Sequence, residues 1–365
     1  MSIETVPQKD PGLLPAIHIR NLRIDPPLFL APMAGLTHSA LRRTICSFGG
    51  VGLLSTEMLS AKRLPTENPL ISPCLIRTEM ESPLSYQLMT SSEKEIAPAI
   101  EKLHAFKADA IDLNMGCPST AVGKLGAGVT LMERPEEVRR IVAEARKLTA
   151  LPLTAKIRLG LDLDNGKLKS FCSMLEDEGI DMLSVHARFR HESFARKPHW
   201  AHVAVIKDRL RIPVIVNGGI FTLQEAETCL RVSGADGLML GRGAVIKPWL
   251  FAEIARSLFA ADIKEPEVSL PEVYTRFIAY LSEHYRPMYR LGRLKEFTHY
   301  FARNYKFGHY LASKVQSSCS IEEAKERACK FFSTTGRIHP IMIDKERSAD
   351  NPRKGPYNLR VEMFS

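Results

Sequence analysis

Short apolar segments recur along the first 260 residues, and a segment with helical periodicity follows most of them. The apolar segments are four to six residues long, and most end at Gly, Pro or Asn, which terminate strands. Eight strands are therefore predicted, at residues 28–33, 51–56, 84–89, 110–115, 153–157, 182–186, 214–217 and 237–241. Helices are predicted among them at residues 39–48, 92–106, 135–148, 168–178, 202–209, 223–232 and 244–259.

Such alternation of strands and helices is typical of a parallel sheet, because each helix returns the chain to the start of the next strand. Eight such units within about 240 residues predict an α/β fold, the (β/α)8 TIM barrel. The alternative is an open, doubly wound sheet, but no G-x-G-x-x-G follows the first strand. One unit is predicted to be irregular, since residues 62–82 contain three prolines and no clear helical period.

The periodicity also divides the chain into parts. A small hairpin is predicted at residues 17–24, and a charged, Pro-containing linker follows the barrel at 263–267. Beyond the linker, helices are predicted at 271–284, 292–305 and 321–332. The predicted organisation is an N-terminal arm (1–16), the barrel (17–262), a C-terminal all-α helical domain (268–335) and a C-terminal tail (336–365).

Composition and charge narrow the possible functions of the 365-residue chain. Hydrophobic residues make up 45% and charged residues 25%, as in soluble globular proteins, and no apolar run approaches a membrane span. The N-terminus lacks the pattern of a signal peptide, so a cytoplasmic location is expected. Seven scattered cysteines without a C-x-x-C pair predict neither disulfides nor a metal site. The net charge of +9 favours a polyanionic partner.

The most informative segment is the strand-and-turn 110–118, AIDLNMGCP. Gly116 and Pro118 end the strand, so Cys117 lies on a turn, close to the polar Asn114. A thiol in this place is well located to meet a ligand. The alternative is a half-buried cysteine in a tight turn, since free cysteine usually behaves as a small hydrophobic residue.

In a barrel, the other strand ends share one rim with this turn. Lys156 lies in an apolar strand, where it is a candidate to stabilise an anion, to form a Schiff base, or to reach solvent from the strand end. Glycine-rich turns after the last two strands predict a phosphate cradle, although barrels also use glycine there for geometry alone. The remaining candidates at strand ends are Gln87, Arg158, His186, Arg188, Asn217, Gly218, Gly219, Gly241 and Arg242.

Six motifs in this order resemble the tRNA-dihydrouridine synthase family of flavoenzymes. They are APMAGLTHSALRR, DLNMGCPS, AKIRLG, SVHARFR, VNGGI and GADGLMLGRGAVIKPWLF. The resemblance covers roughly residues 17–260, and the helical segment resembles the family's RNA-binding domain more weakly.

The resemblance implies FMN as cofactor, NADPH as reductant and a uridine of folded tRNA as substrate. Hydride would pass from flavin N5 to uracil C6, and Cys117 would protonate C5. Asn114 would orient the uracil. From their positions alone, at two strand ends and in the turn after Cys117, Arg158, Arg188 and Lys124 are assigned to the substrate side. Pro32, Met33 and Ala34 would lie against the isoalloxazine, and Gln87 and Lys156 would bind its polar edge. His186 would also belong to the flavin site. The two glycine turns, with Asn217 and Arg242, would hold the phosphate.

Three departures from the family pattern leave the modified position and the RNA class open. His38 replaces an Asp, Thr90 stands where a Gly is common, and the loop 189–200 has Phe189 and Phe194 in place of Thr and Tyr. Alternative functions are the same chemistry on ribosomal RNA, a flavin barrel that reduces a free pyrimidine, and a non-catalytic RNA-binding module.

Cations alternate with aromatic residues in the helical segment, which suits phosphates and unstacked bases. An ordinary amphipathic helix pair, with tyrosines inside, would have the same pattern. We expect a monomer that contacts RNA through Arg286, Arg290, Arg293, Lys295, Arg303 and Lys306.

Overall fold

The structure, a computed structural model, describes residues 14–335 except positions 70 and 163. Most of the predicted N-terminal arm and the whole predicted C-terminal tail therefore lie outside the described residues. Two short strands, β1 (Ile17–Ile19) and β2 (Leu22–Ile24), form the predicted antiparallel hairpin. The other strands are β3 (Leu28–Leu30), β4 (Leu54–Ser60), β5 (Leu84–Met89), β6 (Ala110–Met115), β7 (Leu153–Arg158), β8 (Met182–His186), β9 (Val214–Asn217) and β10 (Gly237–Leu240).

These eight strands form one parallel sheet that closes on itself in the order β3-β10-β9-β8-β7-β6-β5-β4. β3 and the chain entering β4 meet at a parallel bridge between Phe29 and Leu53, and the Leu30 N–H donates to the Leu53 carbonyl at 2.9 Å. A Cβ at Gly52 would lie 2.1 Å from the Pro26 carbonyl oxygen, so only glycine fits where the ring closes. The predicted (β/α)8 TIM barrel is confirmed.

Helices surround the barrel and continue beyond it. They are α1 (Ser39–Cys46), α2 (Ile96–Ala105), α3 (Thr120–Lys124), α4 (Pro135–Leu148), α5 (Asn165–Asp177), α6 (Ala201–Lys207), α7 (Leu223–Ser233), α8 (Arg242–Ile246), α9 (Leu250–Phe259), α10 (Leu270–His284), α11 (Pro287–Phe301), α12 (Gly308–Gln316) and α13 (Ile321–Thr335). Within the described residues, no helix is long and apolar enough to cross a bilayer.

Several predicted bounds were wrong: the helix predicted at 292–305 is α11 (Pro287–Phe301), and α12 was not predicted. Two other differences have local reasons. The helix predicted at 244–259 is divided into α8 and α9, because Pro248 between them cannot continue a helix. The second barrel strand starts at Leu54 and not at position 51. Gly50 before it has a φ of +82°, and a Cβ there would lie 2.6 Å from the Phe251 carbonyl oxygen. Because this turn packs against α9, the strand begins three residues later than predicted.

The hairpin seals one end of the barrel. Ile17, Ile19 and Ile24 join Phe29 and Met239 in a small apolar cluster that is separate from the main core. Because this cluster occupies the end where the strands begin, the opposite rim, where they end, is the end of the barrel available to a ligand.

The unit predicted to be irregular has a single 3-10 turn (Leu64–Thr66) in place of a helix in its described residues. A buried ion pair fixes the end of this segment, where the chain returns to the barrel. Arg42 Nε contacts Glu81 Oε1 at 2.7 Å, and the two side chains are 1% and 0% exposed. Glu81 also accepts hydrogen bonds from the Ser39 hydroxyl and the Thr78 N–H. Arg42 donates further to the carbonyls of Thr37 and Ile76. A charge network therefore replaces helix packing here.

The C-terminal helices pack onto the barrel through α1 and α8. Their core is aromatic, and the rings of Phe277 and Phe297 stack with centroids 3.8 Å apart. The Tyr285 hydroxyl accepts a hydrogen bond from the Ser39 N–H at the start of α1, at 3.0 Å. At the other contact, buried Asn304 donates from Nδ2 to the Ile246 carbonyl at 2.6 Å, which satisfies the end of α8.

Removing Glu81 should be strongly destabilising, because Arg42 would be left as an unpaired buried charge. We expect Glu81→Ala to lower the free energy of unfolding by about 3–5 kcal/mol, as for other broken buried ion pairs. Urea unfolding followed by circular dichroism measures this. Glu79→Ala, at an exposed position in the same segment, is the matched control and should stay within about 0.5 kcal/mol of the parent. Equal stability of the two variants would contradict the role given to the pair.

Candidate active site

A cavity of about 360 Å³ opens at the rim where the barrel strands end. The chain brings together there every residue predicted to bind the cofactor, the predicted catalytic residue and two of the predicted substrate residues. Those lining the cavity are Pro32, Met33, Ala34, Gln87, Asn114, Cys117, Lys156, Arg158, His186, Asn217, Gly218, Gly219, Gly241 and Arg242. A larger, mostly apolar cavity of about 830 Å³ lies elsewhere, between α4 and α5, and contains none of them.

The turn that carries Cys117 is held by the Asn114 side chain and by backbone contacts. The Asn114 side-chain oxygen accepts hydrogen bonds from the N–H groups of Gly116 and Cys117, at 3.2 and 3.1 Å. The Cys117 carbonyl accepts the Val129 N–H at 3.0 Å. Gly128 has a φ of +66°, and a Cβ there would lie 2.7 Å from the Cys117 carbonyl oxygen. The thiol is thus half-buried on a fixed turn.

A chain of buried polar groups runs from the barrel interior to this turn. The Thr154 hydroxyl donates to Asp112 Oδ1 at 2.5 Å, and Gln87 Nε2 donates to Asp112 Oδ2 at 2.7 Å. Gln87 Oε1 in turn accepts from Asn114 Nδ2 at 2.7 Å. Asp112 therefore fixes which end of the Gln87 amide faces Asn114, and Gln87 fixes the Asn114 amide.

The electrostatics of the cavity keep the thiol protonated. Burial raises the pKa of Cys117 above its usual value, although the Ser119 N–H and the positive charges of Arg158 and Lys156 oppose the shift. Burial, with the nearby charge of Arg158, lowers the pKa of Lys156 to about 8. Among the described residues, none accepts a hydrogen bond from the Lys156 ammonium, which lines the cavity. The site thus offers a neutral acid and a cation with no hydrogen-bonding partner in the part of the chain that the structure describes.

His186 and the glycine turn after β9 are packed tightly together. Gly218 has a φ of +114°, and a Cβ there would lie 2.7 Å from His186 Cδ2. At Gly219, a Cβ would lie 2.5 Å from Pro198 Cγ. Burial and the surrounding cations lower the pKa of His186 well below its usual value, so the imidazole is neutral at physiological pH. It can donate one hydrogen bond and accept another.

The turn after β10 leads directly into α8. A Cβ on Gly241 would lie 3.2 Å from Met33 Sδ, so the turn and the first strand end form a narrow slot. Arg242 is the first residue of α8, and its guanidinium lies 4.5 Å from the ring centre of Phe194. Asn217 Nδ2 donates to the Met239 carbonyl at 2.7 Å and holds β9 to β10.

The predicted substrate residues differ in their environments. Arg158 is buried and donates to the carbonyls of Gly116 and Phe189, at 3.0 and 2.9 Å, so it fixes two loops of the rim. Arg188 is also buried, does not line the cavity, and donates to the Ser193 and Phe194 carbonyls. Lys124 is exposed at the end of α3. Their substrate roles stay predictions.

The positions predicted to contact RNA differ in exposure: some make contacts inside the helical segment and others lie at the surface. Arg290 donates to the carbonyls of Tyr285 and Ser282, at the end of α10. The Arg293 guanidinium lies over the ring of Tyr285, 4.8 Å from its centre. The others are at or near the surface, with Lys295 half-buried and Arg286, Arg303 and Lys306 exposed.

Two of the departures noted in the sequence have local explanations. His38 is buried against the rings of Phe277 and Tyr285, with centroids 5.8 and 5.6 Å away, and its pKa is well below the usual value because of burial and nearby arginines. The Thr90 hydroxyl donates to Glu95 Oε2 at 2.7 Å and fixes the turn before α2.

Sequence reasoning missed Tyr300 as part of the cavity and Asn304 as a contact to α8. Tyr300 lines the cavity from α11, a helix outside the barrel. No local pattern could reveal this, because the contact joins positions far apart in the chain. No group of three or more side chains able to hold a metal ion occurs within the described residues.

Comparison with known proteins identifies relatives across most of the chain. A family model described as dihydrouridine synthase (Dus) matches residues 29–328. A probable tRNA-dihydrouridine synthase of Rhodobacter capsulatus is 36% identical over 74% of this chain and 82% of its own length. The tRNA-dihydrouridine(16) synthase of Pseudomonas putida is 33% identical over 76% of this chain and 88% of its own.

Solved structures are more distant and show the fold alone. Histamine dehydrogenase from Rhizobium sp. 4-9 superposes with a TM-score of 0.53 at 14% identity, over 73% of this chain and 51% of that chain. A 2-naphthoyl-CoA reductase superposes with a TM-score of 0.52 at 14% identity, over 67% of this chain and 52% of that chain. This chain thus spans about half the length of both.

Asp112→Ala should disorder the polar chain, because Gln87 Nε2 and Thr154 would lose their acceptor. We expect flavin affinity, measured by fluorescence titration of the stripped protein, to fall by about tenfold or more. Asp112→Asn should stay near the parent, since an amide oxygen can accept from Gln87 while its nitrogen donates to the Thr154 hydroxyl.

Asp162→Ala, at an exposed position, is the control for these variants. Full flavin affinity in Asp112→Ala would show that the polar chain does not orient Gln87 for the ligand.

Proposed function

The chain belongs to the dihydrouridine synthase family, and we propose that it reduces the C5–C6 double bond of a uridine in tRNA to 5,6-dihydrouridine, with FMN as cofactor and NADPH as reductant. The relatives named as tRNA-dihydrouridine synthases support the reaction and the RNA class. The observation that carries the proposal is the meeting of Cys117, Asn114, Lys156 and the two glycine turns in one cavity.

The residues present fit a flavin. Pro32, Met33 and Ala34 give the cavity a narrow apolar side for a flat ring. Gln87 has used one amide hydrogen on Asp112 and one lone pair on Asn114, so one donor and one acceptor remain for a pyrimidine-like ring edge. The Lys156 ammonium has no acceptor among the described residues and complements an anion at that edge.

At the opposite end, residues suited to a phosphate come together. The Gly241 turn leads directly into Arg242, the first residue of α8, and both residues line the cavity. Arg242 supplies positive charge, and neutral His186 lies against Gly218. Together they would hold the phosphate of FMN.

When bound, the flavin supplies the hydride that reaches C6 of the uracil. Asn114 orients the base: its side-chain oxygen already accepts two backbone N–H groups, so its free amide hydrogen is the group left for a uracil carbonyl. Since hydride addition at C6 makes C5 basic, an acid must protonate C5. Cys117 is held close to Asn114, and its raised pKa keeps it protonated at neutral pH.

The target uridine must leave its stack to enter a cavity of this size, and the net charge of +9 favours binding of the surrounding RNA. A flavin barrel that reduces a free pyrimidine would need neither the charge nor the basic helical segment. The expected cytoplasmic location and monomeric state belong to the same proposal.

Cys117→Ala should keep the flavin but lose the acid. We expect dihydrouridine formation in an unmodified tRNA transcript to fall by about 100-fold or more. Flavin content and flavin reduction by NADPH, both followed by absorbance, should remain at parent values. Rapid uridine reduction by Cys117→Ala would refute the assignment of the acid, while a parent protein that forms no dihydrouridine would refute the proposed reaction.

The pH dependence should follow Lys156. Its ammonium is charged below about pH 8 and neutral above it, so kcat/KM for the RNA should fall as the pH rises through 8. Cys117 does not explain such a fall, because its raised pKa keeps the thiol protonated in this range. In Lys156→Arg the charge persists, and the decline should move to higher pH. An unchanged decline in this variant would assign it to another group.

A further inference from the structure

Three aromatic rings lie together on the surface at the start of α12. Phe307 is 38% exposed, Tyr310 is 56% exposed, and His309 between them is exposed as well. The ring centres of His309 and Tyr310 are 4.2 Å apart, and that of Phe307 lies 6.5 and 6.4 Å from theirs. These rings form a continuous outer surface and contribute little to the core.

Cations flank this group of rings. Lys306 Nζ lies 5.7 Å from the centre of the Phe307 ring. Lys314 is exposed one helical turn after Tyr310, on the same side of α12. Residues 302–320 contain three Lys and Arg residues and no Asp or Glu. We call Lys306, Phe307, His309, Tyr310 and Lys314 the aromatic patch.

The patch is fixed relative to the cavity. A short 3-10 turn (Ala302–Asn304) precedes α12. A Cβ on Gly308 would lie 1.7 Å from the Ala302 carbonyl oxygen, so α12 begins in close contact with this turn. That turn contains Asn304, which is hydrogen-bonded to the end of α8, and α8 begins at the cavity. Tyr300 itself lines the cavity, and seven residues of chain to Phe307 span about 24 Å at most.

We propose that the aromatic patch is a stacking platform for an unpaired nucleobase of the RNA substrate, outside the cavity that receives the target uridine. The proposal rests on the function proposed above and assigns a second contact to the same RNA. Ring faces next to lysines are the chemistry that binds unstacked bases and their phosphates. The absence of acidic residues from residues 302–320 favours a polyanion over a protein partner that presents basic groups.

The placement of the arginines supports this location. Arg290 and Arg293, which the sequence assigned to RNA, make contacts within the helical segment through carbonyl groups and tyrosine rings. Lys306 is exposed and lies beside an exposed ring. The start of α12 is therefore a surface that offers both positive charge and exposed ring faces.

Phe307→Ala/Tyr310→Ala should weaken binding of an unmodified tRNA transcript to the flavin-loaded full chain. We expect the Kd, measured by fluorescence anisotropy, to rise about tenfold, since loss of one stacked base costs roughly 5- to 150-fold. KM for the RNA should rise similarly, while kcat, flavin content and flavin reduction by NADPH stay unchanged.

Matched variants separate stacking from charge and from folding. Tyr310→Phe keeps the ring and should bind like the parent, and Met288→Ala removes an apolar side chain that is 76% exposed on α11, without a ring. Lys306→Ala and Lys314→Ala should each reduce the slope of log Kd against log salt by about one, and the ring variants should not. The single variant Tyr310→Ala replaces the double variant if the latter unfolds at a lower temperature.

Two results would overturn the proposal: ring variants that bind the transcript within twofold of the parent, or a loss equal to that of Met288→Ala. A parent chain that forms no dihydrouridine, yet binds the transcript more tightly than the ring variants, would refute the proposed reaction and support the platform.

Discussion

The register of the parallel strands decides where the chemistry of this barrel lies. Pairing sets Gln87 beside Asp112 and Asp112 beside Thr154, so three polar side chains on neighbouring strands meet in one row. Further along, the same pairing sets Asn114 beside Lys156. Because side chains alternate between the two faces of a strand, a shift of one residue would turn these groups toward the helices. The barrel's apolar core thus fixes the polar site through the register.

Burying this row of polar side chains costs desolvation free energy. That cost explains why each side chain is held in one orientation by hydrogen bonds. Burial raises the pKa of Asp112, while hydrogen bonds from Thr154 and Gln87 and the charge of Lys156 oppose the shift. A carboxylate with partners on both oxygens has few alternative arrangements, and each partner is held in turn. The amides of Gln87 and Asn114 are therefore oriented before any ligand arrives, which reduces the entropy lost on binding. The rigid turn at Cys117 extends this preorganisation to the proposed acid.

Much of the fold and the cavity could be predicted from the sequence, because both follow local patterns. Strand and helix periodicity gave the eight units, and polar residues at strand ends identified the members of the rim. The start of the second strand was not predictable, since the Gly50 turn depends on contact with Phe251, some 200 residues away. The place of Tyr300 in the cavity and the inward orientation of Arg293 were not predictable either, because both depend on contacts between distant parts of the chain. Alternating cations and aromatic residues indicate an amphipathic helix, but the period alone does not say which side faces RNA.

The helical segment is part of the site's framework as well as a candidate RNA contact. Tyr285 binds the start of α1, which follows the strand end at Pro32–Ala34, and Asn304 binds the end of α8, which starts at Arg242. These two anchor points lie on the parts of the rim assigned to the ring and the phosphate of the cofactor. The junction between the helical segment and the barrel also explains His38. Burial and the charge of Arg293 lower the pKa of His38, which stays neutral between Phe277 and Tyr285. The same charge of Arg293 opposes the rise that burial causes in the pKa of Glu57. Glu57 Oε2 accepts the Gly35 N–H at 2.9 Å and so fixes the turn after Ala34. The junction therefore links the helical segment, where we propose the RNA contact, to both ends of the cavity proposed for the cofactor.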